Sequence, residues 1–515
     1  MTTTHTPRPP AMRRTERSGR LTALHAEWTK FRTVRGWVVA MAAALLATIV
    51  VGLLGTAAPG PTGAGTASYP KGPGGEAVND NFYLVHRKLT GDGSITIALR
   101  SLTGAAATGS GDEPADGAQP WAKAGIIMKE SLTPGSSYAA VLATGGHGVR
   151  MQYDYTHDTA GPSGSNSSGR LRLVRSGDSL TGYTSTDGSR WTEVDSVKLP
   201  GLPRTVQAGF FAASPEAKLD TAAGPGFSPA VATGVFGVPG LEGDWAPGAW
   251  SGTQVGGDAG TSGSYTGTTE GGFTRTTDTF SVTGAGDIAP VVGGPVMGAG
   301  FSVENFLVGT FAGLVVVIAV ATLFVTGEYR HGLLRTTVAA IPPRGRVLGA
   351  KAVVAGGLAF TVGLIAAAVT VPLGEHAALG RGFHVFPVSS ATELRVVVGT
   401  GLLCAAAAVL ALGVGTLLRR SATAVAVVIV SIVLPYLLAT SGVLPPGASE
   451  WLLRVTPAAG FAIQQTLPHY AQVVSVYEPS TGYYPLVPWA GFAVLCGYAV
   501  LALGLAAVRL RRRDV

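Results

Sequence analysis

Two hydrophobic periods divide this chain. Six apolar runs are continuous over about 20 residues, the length that crosses a hydrocarbon core of roughly 30 Å. They are Gly36–Gly55, Asn305–Val325, Ala352–Leu373, Val396–Leu418, Ser421–Thr440 and Pro488–Val508. Between the first and the second, the pattern changes. Residues 59–78 are rich in Pro, Gly, Ala, Ser and Thr and read as a linker. Beyond them, short segments alternate with period two, the signature of half-buried strands. Predicted strands are Ser94–Leu102, Ala124–Ser131, Tyr138–Thr144, Gly148–Tyr155, Arg170–Arg175, Leu180–Ser185, Arg190–Asp195 and Val206–Ala212. Ser176–Gly177–Asp178 and Asp187–Gly188 read as hairpin turns, since Gly and Asp tolerate positive φ. In Arg170–Arg175, alternation puts Leu171 and Leu173 on one face and Arg170 and Arg172 on the other. Eight or more strands without helices imply a sandwich or jelly roll. The expected fold is an α-helical polytopic membrane protein with six transmembrane helices. An all-β jelly-roll sandwich is inserted in its first extracytoplasmic loop.

Basic residues orient the spans, because cytoplasmic loops carry the excess of Lys and Arg. The first 35 residues hold eight: Arg8, Arg13, Arg14, Arg17, Arg20, Lys30, Arg32 and Arg35. The loop after span two holds Arg330, Arg335, Arg344, Arg346 and Lys351, and the tight joint between spans four and five holds Arg419 and Arg420. The tail holds Arg509, Arg511, Arg512 and Arg513. The alternate loops carry only Arg381, Arg395 and Arg454. Both termini are therefore expected in the cytoplasm of a multi-pass plasma-membrane protein, with the insert outside. The expected organisation is a basic tail with an interfacial helix (1–35), span one (36–58), the linker (59–78), the β domain (79–300) and spans two to six (301–515). A secretory signal is the other reading of 1–58. The apolar run is longer than such signals carry, and cleavage would leave the insert outside all the same.

Composition agrees with lipid as a solvent. Only 13% of residues are charged, where soluble domains carry about 25%. Residues 60–300 hold 15 Lys/Arg against 21 Asp/Glu, whereas the rest holds 22 against 9. The net charge of +7 is thus a basic membrane portion around a mildly acidic insert. Its basic residues flank apolar runs, which excludes nucleic acid as the partner. The two cysteines, Cys404 and Cys496, lie in spans, so the insert has no disulfide and must be stable from its core.

Leu21, Leu24, Trp28, Phe31 and Val34 form a stripe at helical spacing before span one, flanked by His25, Lys30 and Arg32. Glu27 intrudes on it. Such a basic amphipathic helix lies in the membrane surface. After span two, Thr326–Lys351 offers a short polar helix, the Pro342–Pro343 break and a basic turn, too little for a domain and well suited to a partner's grip. Within the spans ionisable residues are nearly absent; Glu375, His376, Glu393 and Arg395 sit at outer mouths. That argues against an ion-coupled path and for a greasy one, suited to lipid-like cargo. Pro435 is placed to kink span five.

The run Leu171–Val194, after Lys123–Leu132 and Gly91–Leu102, resembles the concanavalin A-like lectin/glucanase sandwich. Phe273–Ile288 resembles the opening strands of such a domain although it comes last here, so it is expected to complete the sandwich in permuted order. The resemblance implies glycan contact through exposed aromatics such as Trp121, Tyr153, Tyr155 and Trp191, with Trp245 and Trp250 as further candidates. The competing reading is that these rings are core or hairpin-packing residues, and for Trp121 and Trp191 it is preferred. Paired carboxylates for glycoside hydrolysis are not evident. Asp80, Asp92 and Asp178 could hold calcium but read as turn residues.

Together the helix around Ala26–Arg35 and the loop Gly327–Lys351 resemble the permease subunits of type-2 ABC exporters, especially the actinobacterial branch. Six spans and the tight turn between spans four and five agree with that family. The resemblance implies that 326–351 docks on a separate ATP-binding subunit, through Glu328, Tyr329, Arg330, Gly332, Arg335, Pro342 and Arg344. It also implies an interfacial helix carrying Leu24, Trp28, Phe31 and Arg32, and a second permease chain as partner. No G-x-x-x-x-G-K-[ST] loop is present, so ATP is expected on the partner and the chain is not expected to be an enzyme. The large insert departs from the family and leaves the cargo open. The alternative is a membrane-anchored glycan-binding or sensor protein, for which five of the spans would be unexplained.

Overall fold

The computed structural model describes residues 16–57, 69–106, 115–162, 169–221, 224–256, 271–292, 300–330, 344–475 and 477–512. Nine α-helices are described: α1 (Glu16–Thr33), α2 (Arg35–Leu54), α3 (Val303–Phe306), α4 (Thr310–Arg330), α5 (Arg344–Gly380), α6 (Ser390–Leu418), α7 (Ser421–Thr440), α8 (Pro446–Val455) and α9 (Pro488–Arg512). Six of them, α2, α4, α5, α6, α7 and α9, are long and apolar enough to cross a membrane. One precedes the β domain in the chain and five follow it.

The bundle packs through small residues. Gly309 and Gly313 face α2 so closely that a Cβ at Gly313 would overlap the Thr48 hydroxyl, and one at Gly309 the Thr48 carbonyl. This is the small-xxx-small contact that lets helix backbones approach without a hydrophobic driving force. Pro435 lies inside α7, and so does Pro372 inside α5. The joint of α6 and α7 turns on Arg419, which adopts the left-handed conformation at φ 57° while its N–H closes on Gly415 O. Between α8 and α9 a stretch missing from the sequence reading appears. The 3-10 segment Pro457–Gln464 is wholly buried against α6, α7 and α9. Its Gln464 Nε2 donates to Thr310 and Thr400 hydroxyls at 3.0 and 2.9 Å, so its polar end is satisfied inside the bundle.

The β domain spans Val78–Pro290. Its spine is one strand of 25 residues, Phe82–Ala106. On one side it pairs Thr205–Ala213 with its first half and Gly169–Ser176 with its second. On the other it pairs Ser251–Val255, Gly240–Trp245 and Ala230–Gly237 in turn. One long strand therefore serves two layers, and Leu89, Ile95, Ile97, Leu171, Leu173, Phe210, Phe280 and Val282 close a core between them. Leu171 and Leu173 point inward and Arg170 outward, as the alternation predicts. Ser176 pairs Ser179 across a two-residue turn in which Gly177 takes φ 60°. The late segment belongs to the sheet: Thr279–Ala285 pairs Ala230–Gly237, and Ile288–Pro290 pairs Val78–Asp80. The domain's first and last strands thus lie side by side.

A second buried polar layer seals that ribbon. Lys123 and Lys129 share one face of the strand Lys123–Lys129, and both are fully buried. Lys123 Nζ lies 2.5 Å from Asp287 Oδ1. Lys129 Nζ lies 2.7 Å from Asp80 Oδ2, which also accepts from the Tyr155 hydroxyl and the Gly135 N–H, both at 2.8 Å. The entry strand, at Asp80, and the residue just before the exit strand, Asp287, are each pinned to the same inner strand by one ion pair. Burial draws the Lys129 ammonium below the usual lysine value, and Asp80 opposes it.

The domain rests on one end of the bundle. Gln472 Nε2 reaches the Tyr155 and Thr156 carbonyls at 3.4 Å, and Ser475 Oγ donates to Val292 O at 3.2 Å. Tyr69 packs on His384 and Phe386, with ring centroids 5.2 and 6.3 Å away. The segments after α5 and after the 3-10 segment Pro457–Gln464 therefore meet the β domain, while α1 lies at the opposite end.

Candidate functional site

At the end of the bundle opposite the β domain, three helices share a cluster of four charges, of which Glu27, Glu328 and Lys351 are buried and Lys30 is half-exposed. Lys351 Nζ, in the second turn of α5, lies 2.6 Å from Glu27 Oε2 of α1 and 2.8 Å from Glu328 Oε1 of α4. Lys30 Nζ of α1 lies 2.9 Å from Glu27 Oε1 and 3.0 Å from Glu328 Oε1. Glu27 and Lys351 are 2% and 1% exposed. The cluster is neutral in sum, which is what permits it to be buried. Burial works to lower the Lys30 pKa, but hydrogen bonds and charge from Glu27 and Glu328 outweigh it and raise the value.

An aromatic lid covers the cluster. Lys351 Nζ sits 4.4 Å from the centre of the Phe324 ring, a cation–π contact. Phe324 meets Phe31 and Trp37 with centroids 5.6 and 5.2 Å away. Val34, extended between α1 and α2, makes the corner that brings Phe31 and Trp37 together. Beside the cluster, Arg419 lies 5.2 Å over the Tyr329 ring, and Arg509 Nη1 donates to Leu417 O at 2.8 Å.

Of the stripe expected on α1, Phe31 turns into the bundle and Trp28 stays on the outer face. Ala23, Glu27 and Phe31 form the helix's buried face, while Trp28 and Arg32 are exposed and Leu24 is half-buried. Glu27, read as an intrusion, is the residue the face is built around. Its signal was present, since a carboxylate on an apolar stripe demands a buried cation. Lys351 is more than a basic flank of the loop: it and Glu328 lie within α5 and α4, just beyond the apolar runs Ala352–Leu373 and Asn305–Val325, which themselves carry no charge. Arg330 and Arg344 end α4 and begin α5. Gly332, Arg335 and Pro342 lie outside the described residues.

Two of the proposed sugar platforms are corrected as well. Tyr155 is 1% exposed and spends its hydroxyl on Asp80. Trp121 is buried, stacked on His147 at 4.0 Å with Arg150 on it at 5.5 Å. Neither ring has a face left to offer. Tyr153, stacked on His157 at 4.3 Å, and Trp191 are half-buried. Of the calcium candidates, Asp80 is committed to Lys129, and Asp92 Oδ1 accepts from the Gly177 N–H at 2.7 Å. No group of three His, Cys, Asp or Glu side chains suited to a metal occurs among the described residues.

No protein-family model and no curated protein matches the chain. Among solved structures, SCP-B of the eqolisin family of peptidases, in a complex with the tripeptide Ala-Ile-His, is 11% identical at a TM-score of 0.24, covering 41% of this chain and 100% of its own. A functionally unknown protein from Saccharomyces cerevisiae is 11% identical at a TM-score of 0.19, covering 37% of this chain and 84% of its own. Likenesses this slight do not enter the functional reading.

Proposed function

We propose that the chain is the permease subunit of an ATP-driven exporter in the plasma membrane. Both termini and the segment 326–351 face the cytoplasm, where the segment docks a separate ATP-binding subunit. The β domain, a lectin-like jelly roll, stands outside in the first extracytoplasmic loop, and a second permease chain completes the unit. The observation that carries this reading is Lys351 bridging Glu27 and Glu328. It joins the surface helix α1 to both arms of the proposed docking segment, α4 and α5. A push on that segment then moves three helices as one, because separating buried charges costs about 3–5 kcal/mol. Further support comes from the bundle's two ends: the basic, charge-tied end is the one away from the β domain.

The test is co-expression of the full chain with candidate ATP-binding subunits from the same genome. One pair should co-purify, and an Arg335→Gln/Arg344→Gln double variant, which leaves the Glu27–Lys351–Glu328 cluster intact, should lose the partner while still folding. Failure of wild type to retain any ATP-binding subunit sinks the exporter reading. Retention by the double variant at the wild-type level sinks the docking assignment.

A further inference from the structure

A cavity of about 490 Å³ opens at the end of the bundle that meets the β domain. Its walls come from the first turns of α6, from the extended stretch after Gln464 and from the approach to α9. They include Thr392, Arg395, Gln465, His469, Tyr483 and Trp489. Arg395 is the only Lys, Arg, Asp or Glu among the lining residues. Its Nη2 donates to Gln465 O at 2.6 Å, whereas its Nη1 is buried without a hydrogen-bond partner among the described residues. A guanidinium presents a planar fork of donors, and a buried donor left unmade is costly.

Glu304 forms no ion pair with Arg395 among the described residues. Its Oε2 takes the Thr466 hydroxyl, its Oε1 is buried without a hydrogen-bond partner among the described residues, and burial raises its carboxyl above the usual range. Meanwhile α6, capped at Ser389, and α9, beginning at Pro488, both direct their positive N-terminal ends to this side. Arg395 is thus the charged group on the cavity wall, with two helix N-termini beside it. Its rim is different in kind: Val487 and Trp489 are 70% and 57% exposed at the first turn of α9. Exposed Trp at the start of a span belongs at the boundary between headgroups and acyl chains. A volume in the small-ligand range with one cation inside and an apolar rim fits an amphiphile rather than a free ion.

We propose that this cavity binds the anionic headgroup, phosphate or carboxylate, of a lipid-like amphiphile in the leaflet on the β-domain side. Arg395 is the anchor, and the acyl chains leave past Val487 and Trp489. Arg395 Nη1 supplies the donor that completes a forked contact with the oxyanion. The proposal rests on the exporter reading for what the site serves, but lipid retention is measured without an ATP-binding subunit, so either can fail alone.

The test is native mass spectrometry of the purified full chain, titrated with phosphatidylglycerol or phosphatidylcholine. Wild type should retain phosphatidylglycerol preferentially. Arg395→Gln should weaken that retention about tenfold, the loss of one charge-assisted contact, with Arg395→Lys between them. Arg381→Gln, an exposed arginine at the same end, should match wild type. Equal retention of both lipids, or undiminished retention by Arg395→Gln, overturns the proposal. Full displacement of the lipid by inorganic phosphate overturns the amphiphile in favour of a free anion. Should Arg395→Gln not fold, a photoreactive phosphatidylglycerol on wild type decides: label on 465–469 or 483–489 supports the site, and label confined elsewhere overturns it.

Discussion

Lys351 Nζ and Glu27 Oε2 lie 2.6 Å apart although 324 residues separate them in the chain. The contact closes the bundle across the whole β domain, since Glu27 precedes that domain and Lys351 follows it. Replacing Lys351 by Met would leave two buried carboxylates, Glu27 and Glu328, to share the single, half-exposed cation Lys30, one charge short of neutrality. We expect a loss of about 3–5 kcal/mol, the cost of stranding a buried charge. Release of α1 should be the visible result, as faster hydrogen exchange over residues 23–33. Glu27→Gln added to Lys351→Met restores neutrality with Lys30 and Glu328, and should slow that exchange again. A double variant no better than the single one would show that packing under Phe324, not charge, holds the helix.

The β domain holds a parallel case. Lys129→Met strands Asp80, whose Oδ2 then keeps only Tyr155 and Gly135. About 3–5 kcal/mol of stability should be lost, read as a lower midpoint in chemical denaturation of the full chain. Tyr155→Phe removes one hydroxyl and should cost only about 1–2 kcal/mol. Equal losses from the two variants would refute the assignment of the ion pair as the stronger tie.

Val282 tests whether the late segment completes the fold. It is fully buried beside Phe210 and Phe280, on the strand that pairs Ala230–Gly237. Val282→Asp puts an unpaired carboxylate in the core and should abolish cooperative unfolding of the domain. Thr283→Asp, one residue on and facing the other way, should be far milder. A folded Val282→Asp domain would make this strand a dispensable edge.

Acid should loosen the same domain through His86. Its Nδ1 meets Gln207 Oε1 at 2.9 Å and its Nε2 meets the Thr253 hydroxyl at 3.0 Å, a pairing that suits the neutral ring. Burial lowers its pKa, opposed by the Gln207 hydrogen bond. A histidine lowered in the fold contributes stability that is whole above the unfolded value of about 6.5 and is lost as pH falls through the folded one. Thermal midpoints of wild type should drop between neutral pH and pH about 5. His86→Gln should flatten that part of the profile, and an unchanged slope would acquit the histidine.

Much of the architecture was legible because period carries it. The strand Tyr138–Thr144 has the predicted bounds, and Arg170–Arg175, Leu180–Ser185 and Val206–Ala212 differ from the observed strands by a residue or so at an end. The strands at 217–255 were not legible. Gly-rich sequences such as Gly234–Val235–Phe236–Gly237 offer little alternation, and pairing with Phe82–Ala106 decides their state. That spine was itself expected to begin only at Ser94, with Asp92 read as a turn residue; its neighbours instead carry the strand on through a bulge at Gly91–Asp92, where Gly91 takes φ 70° and the register shifts. Likewise the buried segment Pro457–Gln464 is too short to register as a span, and only its contacts with α6, α7 and α9 define it.

The candidate site divides the same way. The sequence alone determined six apolar runs, a basic end and a β insert, because hydropathy and alternation are properties of neighbouring residues. It also placed Glu328 and Lys351 at either margin of one basic loop. Tertiary structure alone decided that Glu27 faces them both, that Tyr155 and Trp121 turn inward, and that Arg395 looks into a cavity. Those outcomes depend on which distant group answers a buried charge, and no local pattern records the partner.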